Sequence, residues 1–348
     1  MKKTARIVWM VMLAAILAMA GTACGKQPQA TLNVYNWGDY IDESVLGDFE
    51  EATGIRVNYE TFTTNEDMYI KIKSGGNSYD VAIPSDYMIE RMIKEDLLNK
   101  IDLNHIPNIQ YIEPSFRKLD YDPQEAYSVP YMWGTVGILY NKTMVKEPVT
   151  GWKILWDAKY KKQILMLDSQ RDSIGVALKM LGYSLNTRDQ SELEAAKQAL
   201  IEQKPLVLAY VGDDVKDKMI SGEAALAVVW SGDAVYMKRE NPDLEYVIPE
   251  EGSNLWFDAM VVPKTSTHQK EAEMFINFMC DPETALKNTE YIGYSSPHME
   301  AKKNLSAEVL NDQTAYPSEA DVKRCEIFKD LGEYLKDYDR IWTEVMAN

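Results

Sequence analysis

Leu255-Trp256-Phe257-Asp258-Ala259-Met260-Val261-Val262-Pro263 reads as a strand with a polar entrance and an apolar exit. Alternate residues of a strand point to one face. Trp256 and Asp258 therefore share a face, and Val261 and Val262 continue into buried strand. An indole beside a carboxylate suits an organic cation, because the ring face attracts the charge and the carboxylate neutralises it. Taken alone, the stretch is more simply a core tryptophan followed by an ordinary strand-end acid. Its position and the recurrence of similar pairs change that reading. It follows a long series of alternating elements and reads as the return crossing to the part of the chain laid down first.

Working outward, strands and helices alternate from residue 31. Leu32 to Trp37 is a strand running into a loop, and Asp42 to Glu51 a helix ended by Gly54. A second strand spans Ile55 to Tyr59, and a helix runs from Asn65 to Lys73. Tyr79 to Pro84 is a short buried strand, and Asp86 caps a helix through Leu98. This β-α-β-α-β rhythm predicts an α/β fold with a mainly parallel sheet flanked by helices. Ligands of such sheets sit at the carboxyl ends of the strands. Tyr127 to Tyr140 is a long extended segment with Gly134 and Gly137, suited to carry the chain from one lobe to another. Beyond it, Trp152 to Leu167 goes from helix to strand. Helices are predicted over Ser173–Leu181, Ser191–Glu202, Asp213–Ser221 and His268–Cys280. Strands are predicted over Leu206–Tyr210, Ala224–Trp230 and Tyr246–Pro249. The tail from Ser318 reads as mostly helical.

Composition narrows the function. A chain of 348 residues is long enough for two domains. Its net charge of −17 argues against a nucleic-acid partner, which requires a basic face. Lys2, Lys3 and Arg6 precede an apolar run, Ile7 to Ala20, that is too short to span a membrane comfortably. Ala20-Gly21-Thr22-Ala23-Cys24-Gly25 follows, and small residues before a cysteine resemble a bacterial lipobox. Residues 1–23 are thus expected to be a lipoprotein signal peptide, Cys24 the lipidated first residue, and 24–30 a tether. Either as a lipoprotein or by plain secretion, the protein is expected to work outside the cytoplasm. Cys280 and Cys325 remain as a possible pair. The three histidines, His105, His268 and His298, are scattered, and no metal or cofactor motif is present.

Several clusters carry candidate chemistry. Trp37-Gly38-Asp39-Tyr40, Trp230-Ser231-Gly232-Asp233 and Trp256-Phe257-Asp258 each join an aromatic to an acid. Asp168-Ser169-Gln170-Arg171-Asp172 is acidic without an aromatic. Ser85 with Tyr87, and Tyr294, stand at other predicted element ends. Recurrence at several strand ends points to one shared cleft. A linear polyamine fits it: each ammonium wants a carboxylate and each methylene run an aromatic wall. Cation–π contacts contribute roughly 0.5–2 kcal/mol and burial about 0.8 kcal/mol per CH₂. Two ammonium–carboxylate pairs with a sandwiched chain reach about −8 kcal/mol, which is micromolar. Two other classes compete. Asp168 and Asp172 could serve as acid and base of a glycosidase. Trp and Asp also build sugar sites, Tyr clusters can bind iron, and a cationic amino acid would also suit acidic groups.

The chain resembles the spermidine/putrescine-binding proteins of bacterial polyamine ABC importers. The resemblance rests on Tyr35-Asn36-Trp37-Gly38-Asp39-Tyr40, Pro84-Ser85-Asp86-Tyr87, Ser128 to Gly134, Leu181-Gly182-Tyr183-Ser184, Leu255-Trp256-Phe257-Asp258 and Ile292 to Pro297. It implies a two-lobed periplasmic-binding-protein fold of type II, with the ligand in the interlobe cleft. Lobe 1 would comprise 31–137 plus 259–298, and lobe 2 would comprise 138–258 plus 299–348. It implies that Trp37, Tyr40, Ser85, Tyr87, Trp230, Trp256, Asp258 and Tyr294 line the cleft; with Asp39, Asp168, Asp172 and Asp233 from the acid clusters, these are the expected ligand-binding residues. Asp258 and Asp172 would each grip an ammonium. It also implies a monomer held to the membrane by its lipid, no catalysis, and ABC permease subunits as partners. Gly38 departs from the usual Thr or Ser after the tryptophan, and a glutamine of spermidine binders is replaced near Phe328. Asp39 and Asp233 resemble putrescine binders, and Trp256 resembles spermidine binders.

Overall fold

The computed structural model describes residues 30–76 and 78–348. The expected signal peptide, Cys24 and the tether up to residue 29 lie outside the described residues. A mixed sheet runs through the molecule. Its strands are β1 (Thr31–Trp37), β2 (Arg56–Phe62), β3 (Val81–Ala82), β4 (Leu98–Asn99), β5 (Ser128–Asn141), β6 (Ile164–Leu167), β7 (Val207–Val211), β8 (Leu226–Trp230), β9 (Leu244–Val247) and β10 (Leu255–Pro263). The order is β2-β1-β3-β10-β5-β8-β6-β7, with β4 beside β10 and β9 beside β5.

Each half of the sheet has a parallel set. β1 pairs in parallel with β2 and β3, and β6 with β7 and β8. Two antiparallel strands join the halves. β10 inserts between β3 and β5, so the return crossing read from the sequence closes the first half. β5 is longer than either half needs. Its residues Ser128–Thr135 pair with β10, and Val136–Asn141 pair with β8 and β9. The strand changes partners between Thr135 and Val136, giving the two-lobed arrangement.

Helices cover the faces as the alternation predicts. In the first half, α1 (Ser44–Thr53), α2 (Asn65–Ser74) and α3 (Asp86–Lys94) follow their strands. Met68 and Ile72 of α2 and Met88 and Met92 of α3 pack with Ala82 and Val261 of the sheet. In the second half, α4 (Gln170–Met180), α5 (Gln190–Gln203) and the C-terminal helix Leu335–Ala347 share one apolar cluster through Ile174, Leu178, Leu193, Leu200, Tyr338 and Ile341. The amphipathic stripe Ala272, Phe275, Ile276 and Met279 is buried on helix Gln269–Met279.

Several local readings change. Asp86 is the first residue of α3, not its cap; Ser85 holds that place, and the Asp86 carboxylate is spent elsewhere. α3 stops at Lys94, because Leu98 turns to pair with Pro263. The tail breaks helix after Arg324, where Glu326 bridges Asn254 and its carbonyl accepts from the Leu255 amide at 2.9 Å. Cys280 and Cys325 are both free thiols.

Candidate functional site

The carboxyl ends of β1, β3, β6, β7 and β8 face one cleft of about 370 Å³, which suits a small molecule. All twelve residues singled out in the sequence line it. They do not stand at equal depth. Asp172, Asp233, Asp258, Tyr40, Tyr87, Trp256 and Tyr294 are buried; Asp39 and Asp168 are exposed at the mouth; Trp37, Ser85 and Trp230 are partly covered.

The deep wall is aromatic. Trp256 meets Tyr294 edge-on, with ring centroids 5.2 Å apart, and Tyr294 meets Tyr40 in the same manner at 5.4 Å. Such pairs prefer this geometry because a positive ring edge faces a negative ring face. Gly134 makes room for the indole, since a Cβ there would lie 2.5 Å from Trp256 Cζ2. Across the cleft, the Trp37 indole is fixed by its N–H donating to the Ile83 carbonyl at 2.8 Å.

Asp258 sits within this wall. Tyr40 donates its hydroxyl to Asp258 Oδ2 at 2.8 Å. Asp258 Oδ1 is buried and receives no hydrogen bond among the described residues. No lysine or arginine among those residues forms an ion pair with it. Burial raises its pKa to about 7, against the lowering effect of the Ser85 and Tyr40 hydroxyls. Asp86, which also lines the cleft, supports the same strand: its Oδ2 accepts the Phe257 amide at 3.0 Å, and burial pushes its pKa well up.

Two further acid groups flank Asp258, each with a cation of its own. Asp172, in the first turn of α4, accepts from the Ser169 hydroxyl at 2.7 Å, and burial lifts its pKa to about 6. Near it, Glu66 at the start of α2 accepts from Tyr87 Oη at 3.0 Å. Arg171 stacks over Tyr87 and Phe328, with its guanidinium carbon 5.1 and 4.3 Å from the ring centroids, and offsets the acids there. At the other group, Asp233 is raised to about 6 by burial, opposed by Lys216. Lys216 Nζ lies 2.8 Å from Asp39, 3.5 Å from Asp233 and 3.9 Å from Asp213. A Cβ at Gly38 would lie 2.8 Å from Asp213 Oδ2, so the departure at Gly38 is what lets Asp213 approach.

Sequence reasoning missed Glu66, Arg171, Asp213 and Asn254 as lining residues. Glu66 and Asp213 do follow predicted strand ends and belong to the same pattern as the acids that were found. Asn254 gives no such signal. Among the described residues no group of three or more His, Cys, Asp or Glu is placed to hold a metal ion. Among them no helix is long and apolar enough to cross a membrane.

Known proteins match this architecture along its length. The model of the bacterial extracellular solute-binding protein family matches residues 45–317. The spermidine/putrescine-binding periplasmic protein of Escherichia coli K12 is 35% identical over 339 residues, 97% of each chain. The substrate-binding protein PotD of a spermidine/putrescine ABC transporter from Streptococcus pneumoniae, solved with calcium and HEPES, is 45% identical. It superposes with a TM-score of 0.79 over 92% of this chain and 99% of that one. The PotD lipoprotein of Treponema pallidum is 30% identical, with a TM-score of 0.82 over 90% and 99% of the two chains.

Proposed function

This chain belongs to the bacterial extracellular solute-binding protein family, and on that premise we propose that its cleft captures spermidine or putrescine for an ABC importer. One observation carries the reading. Asp258 is a buried carboxylate walled by Trp256, Tyr40 and Tyr294; among the described residues one of its oxygens has no hydrogen bond and no lysine or arginine forms an ion pair with it. A buried charge is costly unless paired, and an ammonium on a methylene chain supplies both the charge and the apolar stem. Neutral sugars would leave that demand unmet. The relatives that bind spermidine and putrescine support the same choice.

The protein acts by binding and release, without turnover, and hands the ligand to permease subunits as a monomer. Cys24, lipidated, holds it at the outer face of the cell membrane. The lobes, 31–137 plus 259–298 and 138–258 plus 299–348, close over the ligand about the crossings near Gly134–Tyr140 and Asn254–Asp258. The partner change of β5 at Thr135 and Val136 supports that hinge. A ligand shifts the open and closed populations only by its differential affinity for them, so a polyamine touching both lobes favours the closed form.

Calorimetric titration of residues 25–348 with spermidine, putrescine, cationic amino acids and sugars tests this. Saturable binding of a polyamine, recovered chemically unaltered, is expected. Binding only by sugars or amino acids, or recovery of an altered ligand, would refute it.

A further inference from the structure

The acids of the cleft are not all available to a ligand, and Lys216 is the reason. It is the second residue of the short helix Val215–Ile220, after β7. Its side chain is largely buried, and its ammonium stands among Asp39, Asp213 and Asp233. Those three carboxylates line the cleft, whereas Lys216 does not. The lysine thus takes away charge without taking up room. Asp39 lies in the loop after β1 and Lys216 in the other half of the sheet, so the 2.8 Å contact also spans the cleft. Burial works against the ammonium, and the surrounding Asp233, Asp39 and Asp213 more than offset it, leaving its pKa above the ordinary value.

We infer that Lys216 sets the charge preference of the cleft, acting as an internal counter-ion that disfavours a ligand bringing an additional ammonium to the Asp233 end. The inference rests on the polyamine reading and deepens it. A dication satisfied elsewhere in the cleft is little affected by a fixed charge at this end. A trication that reaches Asp233 meets both a carboxylate already paired and a like charge beside it. Two unit charges several ångströms apart at an effective dielectric near 20 interact strongly enough to change affinity by roughly tenfold. Lys216 is a specificity-determining residue by this argument, acting through Asp233 and Asp39 without touching the ligand.

The test is calorimetric titration of the wild type, Lys216→Met and Lys216→Gln with spermidine and with putrescine. Lys216→Gln is one atom shorter but keeps a neutral hydrogen-bond donor, and so decides the matter if Lys216→Met folds poorly. The expected result is a rise of about tenfold in the ratio of spermidine to putrescine affinity in either folded variant. A purely structural role would weaken both ligands alike. An unchanged ratio, or one moved toward putrescine, overturns the inference while leaving the polyamine reading intact. A wild type that binds neither polyamine overturns both, and is recognised without the variants.

Discussion

The Tyr40 hydroxyl reaches Asp258 Oδ2 at 2.8 Å across 218 positions of sequence. The bond ties the loop after the first strand to the last crossing strand. It also takes up one carboxylate oxygen, while Oδ1 makes no hydrogen bond among the described residues.

Asp258→Asn should abolish tight polyamine binding, by roughly a hundredfold or more, since a charge-assisted hydrogen bond is worth about 1.5–3 kcal/mol and the ion pair is lost with it. The substitution keeps an acceptor for Tyr40. It also removes a carboxylate that is costly to ionise in its buried setting. The unliganded variant should therefore melt no lower than the wild type at pH 7.5. A calorimetric titration and a melting curve read the two effects separately. Binding within threefold of wild type would remove Asp258 from the site.

Tyr40→Phe tests the bond itself. The ring keeps its edge-on contacts with Tyr131 and Tyr294, and the Tyr131 hydroxyl still donates to the Tyr40 carbonyl at 2.7 Å. Affinity should fall about tenfold at pH 7. The pH at which binding is half-maximal should move up, because the lost hydroxyl had favoured the ionised carboxylate. An unmoved pH profile would mean that the hydroxyl does not govern Asp258.

Binding and stability should respond to pH with opposite signs. Burial raises Asp258 to about 7 and Asp172 and Asp233 to about 6; in the unfolded chain each titrates near 3.9. Between about pH 4 and 7 the folded protein therefore holds more protons than the unfolded chain, and unliganded stability declines as pH rises through that window. A cation needs the ionised acids, so affinity should rise from pH 5 to 7.5, by up to about tenfold per pH unit for each proton expelled. Titrations in buffers of different ionisation heat count those protons. Affinity that is flat over this range would show that no buried acid ionises on binding.

Gly134→Ala should weaken binding from outside the contact shell. The new methyl would meet Trp256 Cζ2 and the Ser231 hydroxyl at 2.5 and 2.6 Å. Overpacking of this kind costs about 1–3 kcal/mol. The indole must shift from Tyr294, lowering both the melting temperature and the affinity. Tryptophan fluorescence and titration on one sample check this. Wild-type values for both would mean the strand relaxes to accommodate the methyl.

Much of this was legible because the relevant signals are local. Strand-end acids and aromatics are adjacent in sequence, and the alternation of elements brings strand ends together without further information. What escaped has partners far along the chain. Asp86 looked like a helix cap because Asp commonly is one; its carboxylate is taken by the Phe257 amide, 171 residues away. Lys216 stands in a predicted helix with no local signal of its own, and its partner Asp39 is 177 residues away. β3 read as six residues long but is laddered over Val81 and Ala82 alone, since β10 pairs with it only at Ala82 before the chain turns into Ser85. The break in the tail at Glu326 depends on Ser253 and Leu255, which no local pattern reveals.

The insertion of β10 between β3 and β5 has a bearing on synthesis. A ribosome makes the first three strands early, yet the strand that belongs at their open edge is not translated until residues 255–263. For about half of elongation the nascent chain carries an unfinished sheet edge, a surface prone to wrong pairing. A messenger truncated before codon 255 would thus yield not one sound lobe and part of another but a product in which neither lobe is complete.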